Sequence, residues 1–165
     1  MRPAGWRNCA RARSEPRRNG FLTSVCRAWE AATAPASGAG IRTVQARIGV
    51  VLSPAGGALQ LQVPSFWLGL GGRVGPPDQY VPWITLDDAL GGLYHLLWQD
   101  DVAGPVNLTA PNPVRMDTYA TTLAHALNRT ARLQVPATLI RGLAGEVVEE
   151  MLLKSARVVP RRLTE

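Results

Sequence analysis

The chain has 165 residues, a formal net charge of +6 and 46% hydrophobic residues, and its mean hydropathy is -0.02. These values are typical of one soluble globular domain, and no apolar run approaches the ~20 residues of a membrane span. The two cysteines, Cys9 and Cys26, indicate neither a disulfide framework nor a metal site, so we expect a reducing, intracellular setting.

The positive charge lies almost wholly in residues 1–20. This segment carries six arginines and one glutamate, whereas the other 145 residues carry 12 basic and 11 acidic side chains. The body therefore gives no electrostatic reason to expect nucleic-acid binding. Because residues 1–20 lack a helical or strand period, we expect a disordered basic tail, with a targeting peptide as the alternative. The expected location is the cytoplasm, or an organelle if this segment is a transit peptide.

The first folded elements are a helix and a strand. The apolar spacing of residues 21–35 predicts a helix, and we expect Trp29 on its apolar face to pack in the core. Residues 41–52 are rich in valine and isoleucine and predict a buried strand. Arg47 interrupts this apolar run. It either forms a salt bridge or extends past the end of the sheet, or it meets an anionic group of a ligand.

A glycine cluster occupies residues 69–75. A loop that cradles a dinucleotide needs the pattern G-x-G-x-x-G between a strand and a helix. Here the third glycine position is Val74, and the residues that follow are typical of extended chain. We therefore interpret these glycines as structural turn residues. Arg73 within the cluster is a candidate contact to a ligand phosphate.

The next helix is predicted over residues 86–98, with Thr85 as its cap and Asp88 completing a capping box. One face of this helix collects Leu86, Leu90, Leu93 and Leu97. Gly91 and Gly92 each cost ~1 kcal/mol relative to alanine in a helix, so they indicate close approach to a neighbour. Trp83, just before the helix, either packs in the core or offers a flat surface on which a ligand ring can stack.

Residues 106–108 predict a short strand, and Asn112 is expected to cap a helix that has Pro113 in its first position and runs to about Asn128. A short extended piece at residues 133–135 precedes a further helix that opens at Pro136. We expect His95 and His125 to be exposed helix residues and not metal ligands, because they are far apart and no other histidine or cysteine lies nearby.

Three motifs in order resemble the NAD(P)-dependent epimerase family of extended short-chain dehydrogenases/reductases, often labelled nucleoside-diphosphate-sugar epimerases or cell-division-inhibitor homologues. The first is L-G-L-G-G-R-V-G followed by W-I-x-x-D-D, within residues 66–88. The second is G-P-V-N-L-T-A-P-N-P-V at residues 104–114, and the third spans residues 135–163. The family pattern W-I-H-x-D-D has histidine where this chain has Thr85. The resemblance covers residues 21–163.

The resemblance implies an α/β fold: the C-terminal portion of a Rossmann-like domain, followed by a small, mostly helical C-terminal domain of unknown function. The expected organisation is a tail at residues 1–20, the epimerase-like part at residues 21–110 and the incomplete C-terminal domain at residues 111–165. The N-terminal βαβ units that bind the cofactor in this family are expected to be absent. Apolar surface beside residues 41–52, which the full enzyme would bury, is then left open.

The family's hydride chemistry uses a glycine-rich loop and a Tyr-x-x-x-Lys pair. The one lysine here is Lys154, and Glu150 stands four residues before it, so the pair does not occur in the sequence. The resemblance implies NAD(P) as cofactor and a sugar-like substrate for the full family, but we expect this chain not to bind NAD(P) alone and assign no catalytic residue. The expected substrate contacts are Arg47, Arg73, Trp83 and Asn112.

These features predict a partial NAD(P)-dependent epimerase/dehydratase-like oxidoreductase that keeps the substrate side and is inactive alone. The alternative is a non-enzymatic interaction module, which pairs with a separate cofactor-binding chain or with a second copy of itself. A third alternative is a gene fragment without stable function.

Overall fold

The computed structural model describes residues 21–131, 133–135 and 155–164. The predicted tail at residues 1–20 and the helix predicted to open at Pro136 lie outside the described residues. The helices are α1 (Phe21–Ala31), α2 (Ala34–Gly38), α3 (Gly57–Trp67), α4 (Leu86–Trp98), α5 (Met116–Ala126) and α6 (Arg161–Thr164). The strands are β1 (Val44–Ile48), β2 (Val50–Leu52), β3 (Gly72–Val74), β4 (Tyr80–Val81), β5 (Trp83–Thr85), β6 (Gly104–Leu108), β7 (Val114–Arg115) and β8 (Leu133–Val135).

Most of the strand pairs are parallel. Strand β1 runs parallel to β6, with Val44 opposite Gly104 and Ile48 opposite Leu108. Strands β2 and β5 pair in the same sense, as do β3 and β8, whereas β4 and β7 are antiparallel. Parallel pairs need long crossover connections, and α3 and α4 both lie between β2 and β6 in the chain. This arrangement confirms the predicted α/β class.

The single strand predicted over residues 41–52 is divided at Gly49. The Gly49 amide donates to the Leu108 carbonyl at 2.9 Å, and the next amide, of Val50, donates to the Pro82 carbonyl at 2.6 Å. The chain therefore changes partner here, from β6 to the segment that enters β5. A Cβ atom on Gly49 would lie 2.6 Å from the Pro82 oxygen, so the crossing requires glycine.

The main core lies between α4 and the β1–β6 pair. Val106 and Leu108 of β6 are fully buried, and Ala89 and Leu96 of α4 pack in the same cluster. Gly92 lies on this inner face, where an added Cβ would be 2.8 Å from Leu108 Cδ2. The close approach predicted from the two helix glycines is thus confirmed for Gly92. It is wrong for Gly91, which has open space around it.

The four leucines predicted to share one face of α4 are exposed and do not belong to the buried core, although Leu93 and Leu97 line an open pocket with Val44 and Ala46 of β1. The α4 leucine face comprises Leu86, Leu90, Leu93 and Leu97. Leu90 is 57% exposed and Leu97 is 71% exposed. Ala89, Gly92 and Leu96 face inward instead, and at Gly92 the helix is too close to Leu108 for a side chain to fit without a shift.

The prediction that Trp29 packs in the core is wrong. Its side chain is 72% exposed, and none of the residues of α1 is buried. The apolar spacing along α1 is real, but no described element covers the face that carries Trp29. Helix α1 is held to the sheet by polar contacts, chiefly the ion pair between Glu30 and Arg47.

The predicted cap of α4 is confirmed. Thr85 Oγ1 accepts a hydrogen bond from the Asp88 amide at 3.1 Å, and the Thr85 hydroxyl donates to Asp88 Oδ2 at 2.7 Å. The same side chain thus satisfies one backbone donor and fixes a carboxylate in the first turn, where the helix dipole favours negative charge.

The predicted start of α5 is wrong. Asn112 lies exposed in a bend, and α5 begins at Met116 without a side-chain cap. The intervening Val114–Arg115 pairs with Tyr80–Val81 as an antiparallel ladder, and the Met116 amide donates to the Gln79 carbonyl at 2.8 Å. The pairing of β7 with β4 therefore brings an acceptor to the first amide of α5, and the helix does not start at the cap predicted at Asn112.

Candidate functional site

A pocket of about 550 Å³ lies beside the carboxyl ends of β1 and β6. We call it the arginine pocket, and its polar lining side chains are Arg47, Asn107, Thr109, Arg157, Arg161 and Arg162. In open α/β sheets, ligands bind outside the carboxyl ends of the strands, so this is the expected position for a site. The C-terminal segment of residues 157–162 forms the opposite wall.

Three lining residues come from β6 and its end through simple strand alternation. Pro105, Asn107 and Thr109 line the pocket, whereas Val106 and Leu108 between them are buried in the core on the other face. The motif at residues 104–114, which resembles the epimerase family, therefore also contributes polar residues to the pocket lining.

Arg47 forms a two-pronged ion pair with Glu30 of α1. The distances are 2.6 Å from Arg47 Nε to Glu30 Oε1 and 2.7 Å from Arg47 Nη2 to Glu30 Oε2. This contact with Arg47 lowers the pKa of the Glu30 carboxyl below its ordinary value, and the same hydrogen bond raises the pKa of Arg47. Of the two readings of Arg47, the salt bridge is thus observed, and the side chain also lines the pocket.

Thr109 lines the pocket, but its hydroxyl oxygen is buried. The residue is 6% exposed, and within the described part of the chain its Oγ1 has no hydrogen-bond partner. The Oγ1 atom is inaccessible from the pocket, so its missing hydrogen bond is a local cost of burial. Neighbouring Asn107 uses its side-chain amide more weakly, donating to the Val159 carbonyl at 3.4 Å.

Helix α6 is fastened to β6 by Arg162. Its Nη1 donates to the Ala103 carbonyl at 2.6 Å and to the Pro105 carbonyl at 3.2 Å. Leu163 of the same helix packs against the main core. These contacts hold the C-terminal segment over the pocket, so Arg162 acts mainly as a structural contact.

Arg157 is positioned by Tyr80 of β4. Its guanidinium lies 5.8 Å from the centre of the Tyr80 ring, a cation–π distance. The Tyr80 amide donates to Ser155 Oγ at 3.0 Å, and the Ala156 amide donates to the Tyr80 carbonyl at 3.3 Å. The segment that carries Arg157 therefore bonds to β4, and Arg157 lines the pocket.

The charge of the arginine pocket is positive. Among the described residues, four arginines and no carboxylate line it, and guanidinium groups stay protonated. Glu30 pairs with Arg47, so among the described residues Arg157 and Arg162 contribute most of the remaining positive charge. The pocket therefore favours an anionic ligand, and planar guanidinium groups suit phosphate oxygens best.

Arg73, the second predicted contact, lies elsewhere. Its Nη2 donates to Gln134 Oε1 at 2.7 Å, and its Nε is buried without a partner among the described residues. With Asp117 and Thr121 it lines a separate pocket of about 160 Å³. Gly72 beside it belongs to β3, where an added Cβ would overlap the Leu133 carbonyl, so this glycine has a structural role.

Trp83 and Asn112 are also apart from the arginine pocket. Trp83 lines an apolar pocket of about 260 Å³ against α5, while Asn112 is exposed and lines none of the three pockets described here. The structure thus places the four predicted contacts in different regions. Sequence reasoning missed Thr109 and Arg157. The alternation of polar and apolar residues along β6 was a usable signal for Thr109, but Arg157 had none.

Both histidines are exposed on their helices, His95 on α4 and His125 on α5. Within the described ranges, no three histidine, cysteine or acidic side chains are grouped so that they could hold a metal ion. None of the helices that the structure describes has the length and apolar character needed to cross a membrane.

No family model matches the chain. Among curated proteins, it is 44% identical over 144 residues to epimerase family protein Mb2239 of Mycobacterium bovis, covering 87% of this chain and 48% of that protein. The crystal structure of human epimerase family protein SDR39U1 (isoform 2) with NADPH superposes with a TM-score of 0.82 at 36% identity, over 88% of this chain and 49% of the human one. The nucleoside-diphosphate sugar epimerase of Corynebacterium glutamicum matches with a TM-score of 0.59 at 32% identity, over 84% of this chain and 32% of that one.

These similarities confirm the resemblance expected from the three motifs, and they identify the fold as Rossmann-like. The matched structures are Rossmann-like, and the parallel pairs β1–β6 and β2–β5 belong to that architecture. The chain spans about half the length of the curated relatives it matches. Over that span, it is an α/β chain related to epimerase family proteins of the short-chain dehydrogenase/reductase type.

Proposed function

We propose that this chain provides the substrate-side part of an NAD(P)-dependent epimerase-like oxidoreductase and does not transfer hydride on its own. The observation that carries this proposal is the arginine pocket at the carboxyl ends of β1 and β6. The related Corynebacterium protein is named a nucleoside-diphosphate sugar epimerase, and a diphosphate is an anion that guanidinium groups bind well. The proposed ligand is therefore a sugar that carries phosphate groups.

The residues described here do not fit a complete cofactor site. A dinucleotide site requires a glycine-rich loop that leads into a helix N-terminus, where backbone amides meet the pyrophosphate. The glycine cluster of this chain leads instead into β3 and then into β4. The crystallised human relative contains NADPH, so we propose NAD(P) for the complete enzyme and assign its phosphate-binding loop to polypeptide other than this chain.

Each polar residue of the arginine pocket then has a distinct role. Arg157 contacts the phosphate oxygens, since its guanidinium brings a positive charge to the pocket wall. Arg47, paired with Glu30, contributes a fixed edge of the wall and bonds to a ligand only through its remaining N–H groups. Contacts from Arg73, Trp83 and Asn112 to the same ligand remain a prediction.

Calorimetric titration with uridine diphosphate glucose tests this assignment. We expect saturable binding that weakens as ionic strength rises and is lost when free glucose replaces the nucleotide sugar. Arg157→Ala should weaken binding by about tenfold or more, as expected for the loss of a charge-assisted hydrogen bond. Arg129→Ala removes the same charge from an exposed site beyond α5 and should leave the affinity unchanged. Equal affinity for both variants would overturn the assignment.

A second candidate function is favoured by a different surface. Among the described residues β1 pairs with β6 alone, which leaves its other edge without a described strand, and the α4 leucine face is exposed. We propose as the alternative that these surfaces bind a separate chain that carries the glycine-rich loop. An exposed strand edge and an apolar helix face are the features that strand addition and helix packing use.

The alternative can be tested with the part of the Mycobacterium relative that this chain does not match. If the two polypeptides associate, the mixture should elute as one complex and bind NADPH, whereas neither should do so alone. Leu90→Asp should abolish association, because it places a charge in the apolar contact. Gln60→Asp on exposed α3 is the matched control. Separate elution of the parent chains would exclude this candidate.

We propose a cytoplasmic location for the protein, with import into an organelle as the alternative if the arginine-rich residues 1–20 act as a transit peptide. Fusion of these residues to a fluorescent reporter distinguishes the two. Diffuse fluorescence supports the cytoplasm, and concentration in an organelle supports import.

A further inference from the structure

The side of the arginine pocket that β1 and β6 form carries two adjacent polar side chains. Arg47 of β1 and Asn107 of β6 are direct partners in the parallel ladder, and both line the pocket. Partner residues in neighbouring strands lie about 4.8 Å apart, and their side chains point to the same face of the sheet. A guanidinium, which only donates hydrogen bonds, therefore stands beside a carboxamide, which also accepts them.

The Asn107 carboxamide uses only its nitrogen within the described structure. Its Nδ2 donates to the Val159 carbonyl in the C-terminal segment at 3.4 Å, which assigns the oxygen to the other end of the amide. No described residue donates to Asn107 Oδ1. The residue is half-buried, and its Oδ1 is not enclosed in the way that Thr109 Oγ1 is. The pocket therefore contains an accessible hydrogen-bond acceptor among its positive charges.

Arg47 keeps donors that a ligand can use. The Glu30 carboxylate takes one N–H on Nε and one on Nη2, and the guanidinium has further N–H groups. The Arg47 side chain is 53% exposed, so these groups are accessible. A ligand hydroxyl matches the two neighbours, because its oxygen can accept from Arg47 while its hydrogen is donated to Asn107 Oδ1. An ionised phosphate group cannot do this, since it has no hydrogen to donate.

We propose that Asn107, together with Arg47, binds a hydroxyl group of the ligand while Arg157 binds its phosphate. This inference rests on the function proposed for the arginine pocket, and it assigns to Asn107 the selection of a hydroxylated skeleton over an apolar one. A phosphate ester without hydroxyl groups would cover Asn107 Oδ1 without replacing the water bonded to it, which is unfavourable. The ligand class is therefore a polyhydroxylated phosphate ester.

Two phosphate esters with six-membered rings separate hydroxyl binding from phosphate binding. The ring of glucose 1-phosphate carries hydroxyl groups, whereas that of cyclohexyl phosphate carries none. Both are titrated into the parent chain and its variants, and affinities are read from shifts in proton–nitrogen correlation spectra. Asn107→Leu has a side chain of similar size and should weaken glucose 1-phosphate by about three- to tenfold, without changing the affinity for cyclohexyl phosphate.

Three further variants serve as controls. Asn107→Asp keeps an acceptor, so it should weaken both esters through its negative charge and preserve the ratio of their affinities. Gln60→Leu removes a carboxamide from exposed α3 and should change neither affinity. Arg157→Ala should weaken both esters equally, because both carry the phosphate. Since Arg157 lies in the segment that Asn107 Nδ2 contacts, an unchanged affinity of Asn107→Leu for cyclohexyl phosphate shows that this segment remains in place.

The possible results distinguish this inference from the function on which it rests. If Arg157→Ala weakens both esters but Asn107→Leu leaves the ratio of their affinities unchanged, the phosphate site stands and the role of Asn107 is overturned. An equal loss for both esters in Asn107→Leu also overturns it, because the residue then acts only on the fold. If the parent binds neither ester, or Arg157→Ala weakens neither, the phosphate site is refuted and the inference with it.

Discussion

Arg47 and Glu30 form an ion pair with two hydrogen bonds, of 2.6 and 2.7 Å, that joins β1 to the last turn of α1. Because α1 has no buried residue, this pair is its principal described link to the sheet. The pair also fixes the direction of Arg47 at the edge of the arginine pocket. One contact therefore serves both the fold and the candidate site.

The first prediction concerns the pH dependence of this pair. Since the pKa of Glu30 is lowered in the folded chain, its stabilising effect is present above the unfolded carboxyl pKa of about 4.3 and is lost as the pH falls through the folded value. Both side chains are partly exposed, so we expect Glu30→Gln to lower the free energy of unfolding by no more than about 1 kcal/mol at pH 7.

Urea denaturation of parent and Glu30→Gln at several pH values measures this effect, and the two curves should converge in acid. Asp100→Asn is the control, because Asp100 is 99% exposed and lies 4.0 Å from Arg42. A difference for Glu30→Gln that persists well below the pKa of the carboxyl would show that the pair is not its source.

The second prediction uses the two adjacent glycines of α4. Gly91→Ala should raise the free energy of unfolding by about 0.5–1 kcal/mol, because the added methyl enters open space and alanine is the better helix former. Gly92→Ala should be less stable than Gly91→Ala, because its methyl would lie 2.8 Å from the fully buried Leu108 side chain. Thermal unfolding of both variants provides the comparison, and the reverse order would refute the described packing of α4 on β6.

The third prediction concerns the cap of α4. Thr85→Ala should cost about 1 kcal/mol, because the Asp88 amide loses its acceptor. Thr85→Ser keeps the hydroxyl and should retain most of the stability. If the serine variant is as unstable as the alanine variant, the hydroxyl is not the stabilising group.

The fourth prediction separates a folded domain from a gene fragment without stable structure. Leu108 is 0% exposed, so Leu108→Ala should destabilise the chain by about 2–5 kcal/mol, whereas Leu90→Ala on the exposed face of α4 should have an effect below about 0.5 kcal/mol. Cooperative denaturation with this contrast supports a packed core. A broad transition that neither substitution shifts would support the fragment.

Features set by a few neighbouring residues were predictable from the sequence. Thr85 and Asp88 stand three residues apart and form their cap locally, so the pattern was sufficient. Trp29 was placed in the core because the helical period shows that a face is apolar, but the period does not show what covers that face. The cap predicted at Asn112 failed for a similar reason, since pairing between β4 and β7 moved the helix start to Met116.

The candidate site was predictable only in part. Arg47 stood out as a charge in an apolar strand, and it does line the largest pocket described. Thr109 and Arg157 come from distant parts of the sequence, and their proximity depends on how the C-terminal segment pairs with Tyr80. A local sequence pattern does not predict a contact between distant segments, so this part of the site could be found only from the tertiary structure.

The central claim is that this chain holds the substrate side of an epimerase-like enzyme without its cofactor site. The most direct measurement is parallel calorimetric titration of the purified chain with uridine diphosphate glucose and with NADPH, using the parent and Arg157→Ala. The account predicts that the nucleotide sugar binds the parent, that Arg157→Ala weakens this binding by about tenfold or more, and that NADPH gives no saturable heat. Saturable NADPH binding, or nucleotide-sugar binding that Arg157→Ala leaves unchanged, would contradict it.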